Sequence, residues 1–342
     1  MPRLLIAASG TGGHIYPALA LADSLSNSWK IEWLGVANRL EIKLVPKKYN
    51  LIFLKVGGMQ GNSLRKMFEL FKLVFASIQV CTLLRQKKID VIFTTGGYIS
   101  APSILAAKIT GIPILLHESN AIPGKVTRFL GRFCDHIALG IPSASEYLSR
   151  CKTTFTGTPV RPEFYLKQQL PSWVPSGQGA LIVIMGGSQG ATKINEMVRP
   201  ILPWLLENGF RVVHLTGKND CFYRDLSKFE THPNLVIKHF SDEIPALLNN
   251  ADLAISRAGA GAICELMFTN TPSILIPLPQ STDHHQELNA AYMARFGGAV
   301  IVNQNNPKKN ILKNTIFNLI NSETLTKMKL NLNNFDFHYP EK

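Results

Sequence analysis

The sequence predicts an α/β protein of two Rossmann-like halves, each a parallel sheet covered by helices on both faces. Three observations predict it. Short apolar runs end in small-residue loops that lead into helical patterns, and this unit recurs along the chain. The runs are apolar throughout instead of alternating, as in strands buried on both faces. The unit restarts after a proline-rich stretch near the middle of the chain.

The first unit is Arg3-Leu-Leu-Ile-Ala-Ala-Ser9, then Gly10-Thr-Gly-Gly-His14, then a helical pattern with Pro17 near its start. The second runs from 90–94 into Thr95-Gly-Gly-Tyr98 and a helix that carries Pro102. A third runs from 180–185 into Gly186-Gly-Ser-Gln-Gly190 and a helix from about Thr192. Further buried strands are read at 112–117, 210–216, 253–256 and 273–277. Residues 159–179 hold Pro159, Pro162, Pro171 and Pro175, followed by Gly177 and Gly179, which is linker chemistry. The expected organisation is therefore an N-terminal domain over 1–158, a linker over 159–179, a C-terminal domain over 180–330 and a polar, poorly ordered tail over 331–342.

Composition narrows the function classes. A chain of 342 residues with 46% hydrophobic and 17% charged residues is folded, not disordered. Its 36 basic against 23 acidic residues give a formal charge of +13. Such an excess implies an anionic partner, whether nucleic acid, acidic membrane or phosphorylated substrate, or a generally basic surface. The five cysteines are odd in number and form no CxxC pair, which argues against a disulfide framework or a zinc site. No metal and no cofactor are expected. The longest apolar stretch near a basic flank, 73–84, is well short of the ~20 residues that a spanning helix needs. The chain is expected to lie on a membrane at most.

The glycine loops carry the chemistry. Gly10-Thr-Gly-Gly-His14 places backbone N–H groups at a helix start beyond a strand end, where an anion or a developing oxyanion is stabilised. Its glycine spacing is not that of the dinucleotide fingerprint. An imidazole at His14 suits a general base near neutral pH, and its alternative role is a hydrogen bonder at the helix start. The nearest carboxylate in sequence is Asp23. Gly186-Gly-Ser-Gln-Gly190 is the better anion site, because Ser188 adds a hydroxyl and the next helix adds its dipole; it lacks the P-loop lysine.

Ser256-Arg-Ala-Gly-Ala-Gly-Ala-Ile-Cys-Glu265 is another strand, loop and helix start. Glu265 there can accept both ribose hydroxyls or serve only as a helix-start charge. Within Asp283-His-His-Gln-Glu-Leu-Asn289, Gln286 and Asn289 are three apart and share a helix face, which suits sugar hydroxyls. His284 and His285 are adjacent and point apart, so a metal pair is discounted. His117-Glu-Ser-Asn120 follows a strand, with Glu118 and Asn120 able to face one crevice. The chain has no D-x-D pair, which disfavours a nucleotide held through a metal.

Residues 64–88 form a basic amphipathic stretch. Leu64, Met67, Phe68, Phe71, Val74, Phe75 and Ile78 recur at three- and four-residue spacing, flanked by Arg65, Lys66, Lys72, Arg85, Lys87 and Lys88. Such a helix lies in an anionic membrane interface or packs on a core with ordinary basic edges. The apolar face is wider than a core needs.

These motifs in this order, with Gly157-Thr-Pro-Val-Arg161, resemble the MurG family: the UDP-N-acetylglucosamine–undecaprenyl-diphospho-muramoylpentapeptide N-acetylglucosaminyltransferases of peptidoglycan synthesis. The similarity runs from Gly10 to about Asn289. It implies a GT-B fold, two Rossmann-like domains with parallel sheets facing across a cleft, and an inverting transfer of N-acetylglucosamine. By this resemblance Ser188, with Gln189 and Gly190, would meet the donor diphosphate and Glu265 the ribose. Phe240 and Ser241 would face uracil, Ala260 would lie in the donor site, and Gln286 and Asn289 would hold the N-acetylglucosamine. Thr11, Gly12, Gly13, Asn120 and Arg161 would complete the donor site. Tyr98, His117 and Glu118 would lie toward the acceptor, and His14 would be the general base. The membrane patch would comprise Arg65, Lys66, Met67, Phe68, Phe71, Lys72 and Phe75.

The implied partners are UDP-N-acetylglucosamine, an undecaprenyl-linked muramoyl-peptide, the anionic cytoplasmic face of the inner membrane and other cell-wall synthesis proteins, with no nucleic acid. Thr158 departs from the asparagine that many members carry there. Rival readings are a galactolipid-forming transferase of the same fold, a UDP-N-acetylglucosamine epimerase and a non-catalytic nucleotide-sugar-binding module.

Overall fold

A computed structural model of the chain describes residues 1–37, 39–54, 63–166, 168–187, 190–218, 220, 232–279, 281, 284–306, 310–320 and 323–334, with 63–69 as backbone. Met1–Pro162 form one compact unit and the described residues from Glu163 onward a second. The boundary falls within the proline-rich stretch.

In the first unit the strands are β1 (Arg3–Ala7), β2 (Lys30–Val36), β3 (Asn50–Leu54), β4 (Val91–Thr94), β5 (Ile114–Glu118), β6 (His136–Leu139) and β7 (Thr153–Phe155). They lie in the order β3-β2-β1-β4-β5-β6-β7, and every pairing is parallel. Helices α1 (Gly12–Leu25), α2 (Glu41–Leu44), α3 (Ser63–Gln86), α4 (Ser100–Thr110) and α5 (Lys125–Leu130) connect them. The alternation of strand side chains splits β1 between two cores. Leu5 and Ala7 join Leu34, Val80, Leu84, Ile92 and Ile104 on one face. Leu4 and Ile6 join Ile15, Ala18, Trp33 and Phe93 on the other. An apolar run without alternation is what this double burial requires.

The second unit repeats the plan. Its strands are β8 (Leu181–Met185), β9 (Arg211–Leu215), β10 (Leu235–Lys238), β11 (Leu253–Ser256), β12 (Ser273–Leu275) and β13 (Ala299–Ile301). They are all parallel, in the order β10-β9-β8-β11-β12-β13. Its helices are α6 (Thr192–Val198), α7 (Leu202–Glu207), α8 (Ile244–Asn250), α9 (Ala260–Phe268), α10 (His285–Arg295), α11 (Ile311–Ile320) and α12 (Thr324–Asn333). Helix α12 runs past residue 331, where the polar tail was expected to begin. Leu332 holds it there: the side chain is buried and lies where a Cβ on Gly298 would meet it at 2.3 Å.

Both sheets reverse strand order at their first strand, between β1 and β4 and between β8 and β11. Crevices beyond the strand ends at such switch points are where open parallel sheets hold ligands. The glycine loops sit at these two points.

Helix α3 packs against α4. It buries Ala76, Ser77, Val80 and Leu84, while Leu70, Phe71, Val74, Phe75 and Ile78 are exposed, Phe71 at 67% and Phe75 at 63%. The core reading of the helix therefore accounts for one of its two apolar faces. Among the described residues no helix is long and apolar enough to cross a membrane.

Candidate active site

Helix α1 begins at Gly12, and its N-cap residue Thr11 is extended and makes no side-chain capping bond. The N–H groups of His14 and Ile15 reach back to Thr11 O, and those of Gly12 and Gly13 are left for a ligand or solvent. Gly10 has φ +111°, a conformation that only glycine adopts without strain. Gly12 is required for another reason: a Cβ there would stand 2.9 Å from the ring of Tyr16. The Arg161 guanidinium stacks on the same ring at 4.9 Å. Arg161 and the loop from Thr11 to His14 are so brought together.

His14 projects from the first turn of α1 toward the turn after β4. Its Nδ1 lies 2.7 Å from the carbonyl oxygen of Thr95. A carbonyl only accepts, so Nδ1 carries the proton and Nε2 keeps its lone pair. Gly96 and Gly97 make the cradle for the ring. Both have positive φ, and a Cβ on Gly97 would lie 3.8 Å from His14 Nε2. The loops after β1 and β4 thus meet across the switch point through one hydrogen bond. Tyr98 follows on the same turn and is half exposed.

The next loop is built on buried polar groups. His117 is 1% exposed; its Nε2 donates to Gly157 O at 3.0 Å and its Nδ1 is 3.2 Å from Ser119 Oγ. Burial pushes its basicity below the usual imidazole range, and His14 is near enough to lower it further. Glu118 is buried, and its carboxylate accepts from Asn120 N and Nδ2, from Gly124 N and from Thr127 Oγ1. His117 and Glu118 therefore shape the loops that carry Asn120 and Gly157. Thr158 is buried against Gly140, where a Cβ would stand 2.1 Å from its Oγ1.

In the second unit Ser188, Gln189 and Asp283 lie outside the described residues, as do the side chains of Arg65, Lys66, Met67 and Phe68. Gly190, at φ +80°, packs so closely on β9 that a Cβ would be 2.5 Å from Thr216 O. That carbonyl accepts from Asn195 Nδ2 at 2.9 Å, and Asn195 Oδ1 accepts from His214 Nε2 at 3.0 Å. All three side chains are buried. The loop after β8 is thus pinned to β9 from behind.

Across the switch point, the loop after β11 is held by Arg257 and Asn289. Arg257 Nη1 donates to Ile276 O, Pro277 O and Gln304 Oε1. Asn289 is fully buried, with its amide donating to Ala258 O at 3.1 Å, so α10 braces the start of α9 at Ala260. Gln286 Oε1 accepts from Leu278 N at 3.0 Å. Glu265 stands half buried on α9. Ser241 is buried and accepts from Glu243 N at the start of α8, while Phe240 beside it is exposed.

Sequence reading missed the groups that reach these loops from a distance. Thr95 contributes its carbonyl, which no side-chain motif reveals. Glu41, on the four-residue helix α2, bonds Ser9 and Gly10, and Arg39 Nη1 lies 3.7 Å from where a Gly10 Cβ would stand. Among the described residues no cluster of histidine, cysteine and carboxylate could hold a metal.

Residues 4–139 match the N-terminal domain model of glycosyltransferase family 28, and residues 181–338 match its C-terminal domain model. A Prochlorococcus marinus (strain NATL2A) protein is 77% identical over the whole chain and 97% of its own length. It is named UDP-N-acetylglucosamine–N-acetylmuramyl-(pentapeptide) pyrophosphoryl-undecaprenol N-acetylglucosamine transferase. The chain belongs to the MurG family of glycosyltransferases. A second relative with that name, from Synechococcus sp. (strain WH7803), is 55% identical over 94% of the chain and 88% of its own length. The crystal structure of Acinetobacter baumannii MurG superposes with a TM-score of 0.78 at 25% identity, covering 100% of this chain and 97% of that one. The MurG-family fold is thus the GT-B class expected from the sequence, and the chain is an enzyme of the hexosyltransferase kind.

Proposed function

We infer that the chain transfers N-acetylglucosamine from UDP to a muramoyl-pentapeptide carried on polyprenyl diphosphate, with inversion, at the surface of the cytoplasmic membrane. The observation that carries the mechanism is the hydrogen bond from His14 Nδ1 to Thr95 O. It leaves Nε2 as the basic nitrogen, beside a glycine cradle where a sugar hydroxyl can approach. That nitrogen takes the proton as the acceptor oxygen attacks the anomeric carbon and the bond to UDP breaks on the opposite face. The transition state has oxocarbenium character, as at other glycosyl centres. Charge grows on the departing diphosphate, which the helix start after Gly190 is placed to stabilise, while Glu265 holds the ribose.

The name shared by the relatives at 77% and 55% identity supports the muramoyl acceptor over a galactolipid or an epimerase reaction. The exposed Phe71, Val74, Phe75 and Ile78 of α3, beside Lys72, support the membrane reading, because an apolar stripe with basic edges fits an anionic lipid interface. Labelled UDP-N-acetylglucosamine with a polyprenyl-diphospho-muramoyl-pentapeptide tests the whole proposal. A labelled disaccharide lipid is expected. Hydrolysis or epimerisation of the donor without acceptor-dependent product would overturn it.

A further inference from the structure

One carboxylate in the first unit has no place in the reaction as derived above. Glu41 opens α2 and is 0% exposed. Its Oε1 accepts from Ser9 Oγ at 2.5 Å and from Val36 N at 2.7 Å, and its Oε2 accepts from Gly10 N at 3.4 Å. These donors belong to the chain just beyond β1 and to the last residue of β2. Gly35 makes room for the side chain: a Cβ there would be 3.0 Å from Glu41 Cγ. Among the described residues Glu41 makes no ion pair, so N–H and O–H donors alone compensate its buried charge. A carboxylate in a dry site is costly unless its lone pairs are met by well-placed donors. Here they are met by the segment that turns out of the sheet into α1.

That segment is also one wall of the His14 cradle. A Cβ on Gly97 would lie 4.0 Å from the Ser9 carbonyl oxygen and 3.8 Å from His14 Nε2. Ser9 and the imidazole therefore rest on the same glycine. Gly10, at φ +111°, sets the direction in which the chain enters α1.

We propose that Glu41 is a positioning residue for His14: by clamping Ser9 and Gly10 to the end of β2, it fixes the loop that presents the basic nitrogen to the acceptor hydroxyl. Glu41 touches no substrate, since none of its surface is exposed. The inference rests on the reading of His14 as the base.

The experiment compares Glu41→Gln, Ser9→Ala, their double variant and His14→Ala in the full chain. Glutamine has the same shape and can keep the bonds to Ser9 and Val36, but it turns an N–H donor toward the Gly10 N–H. Misplacement by about 1 Å can cost about 100-fold in rate. Glu41→Gln is expected to lose about 10–100-fold in kcat, with KM for the donor changed less than about threefold. Amide hydrogen exchange over 8–14 should quicken while that of β8 and β11 stays as in the wild type. Ser9→Ala should lose several-fold, and adding it to Glu41→Gln should cost little more. A kcat within twofold of wild type for Glu41→Gln, or exchange that quickens equally throughout, overturns the proposal. Should Glu41→Gln fail to fold, a wild-type kcat for Ser9→Ala overturns it instead. The His14→Ala arm separates the two readings. If that variant is impaired while Glu41→Gln is not, only the positioning role falls; a near-wild-type His14→Ala removes the base and this role together.

Discussion

At the scale of the residue, His14 is defined by what its other nitrogen does. The bond to Thr95 O fixes the tautomer, so on the proposed mechanism loss of the ring removes a base already oriented. His14→Ala should lower kcat by about 10²–10⁴-fold. Donor Kd should change far less; a collapse of donor affinity with kcat retained would assign the ring to binding instead. Glu265 is read through the donor. Glu265→Gln should shrink the preference for UDP-N-acetylglucosamine over its 2′-deoxyribose analogue, and full retention of that preference would free Glu265 from the ribose. His14 and Glu265 stand out as candidates in the sequence because each follows a glycine loop. Glu41 does not, because it belongs to no glycine loop and its partners lie 5 to 32 residues away.

At the scale of the element, α3 shows how far periodicity reaches. Its spacing identified an apolar helix but left open which face meets the core. Burial of Ala76, Ser77, Val80 and Leu84 answers that, and it leaves Phe71 and Phe75 in solvent. Polar replacements at Phe71 and Phe75 should therefore cost little stability. They should sharply weaken partition into anionic vesicles, and Lys72→Gln should weaken it further. Each basic residue near such a surface contributes about 1 kcal/mol, less as salt rises. Activity on a short, water-soluble acceptor should persist. Unchanged sedimentation with vesicles would end the membrane reading, and loss of folding would return these phenylalanines to the core. Strand β8, Leu-Ile-Val-Ile-Met, was legible from composition alone because every one of its residues is buried. The end of α12 reads as tail in the sequence because its polar residues outnumber the buried Leu332, and the bond of Asn333 to Asn270 leaves no local trace.

At the scale of the whole molecule, the repeated strand–loop–helix unit made both sheets readable before any contact was known. What stayed hidden is the set of buried polar groups that brace the loops, since hydrogen bonds between distant segments leave no periodic trace. These groups make stability depend on pH. His214 is 0% exposed and makes its hydrogen bond to Asn195 Oδ1 through Nε2. Burial pulls its pKa from 6.5 down to about 4, partly opposed by Asp220 and aided by Arg199. His117 is shifted in the same direction by burial. The unfolded chain takes up these protons first as pH falls. Stability is then fully present above about pH 6.5 and is lost as pH falls through about 4. For His214 alone the full loss is about 3 kcal/mol, at 1.36 kcal/mol per pKa unit. His214→Gln can still donate to Asn195 but cannot titrate. Denaturant unfolding from pH 7 to pH 4 should show the wild type losing more stability than this variant, with the curves converging toward acid. Parallel curves would mean that His214 is protonated in the folded chain as easily as in the unfolded one, and burial would then not be what keeps it neutral.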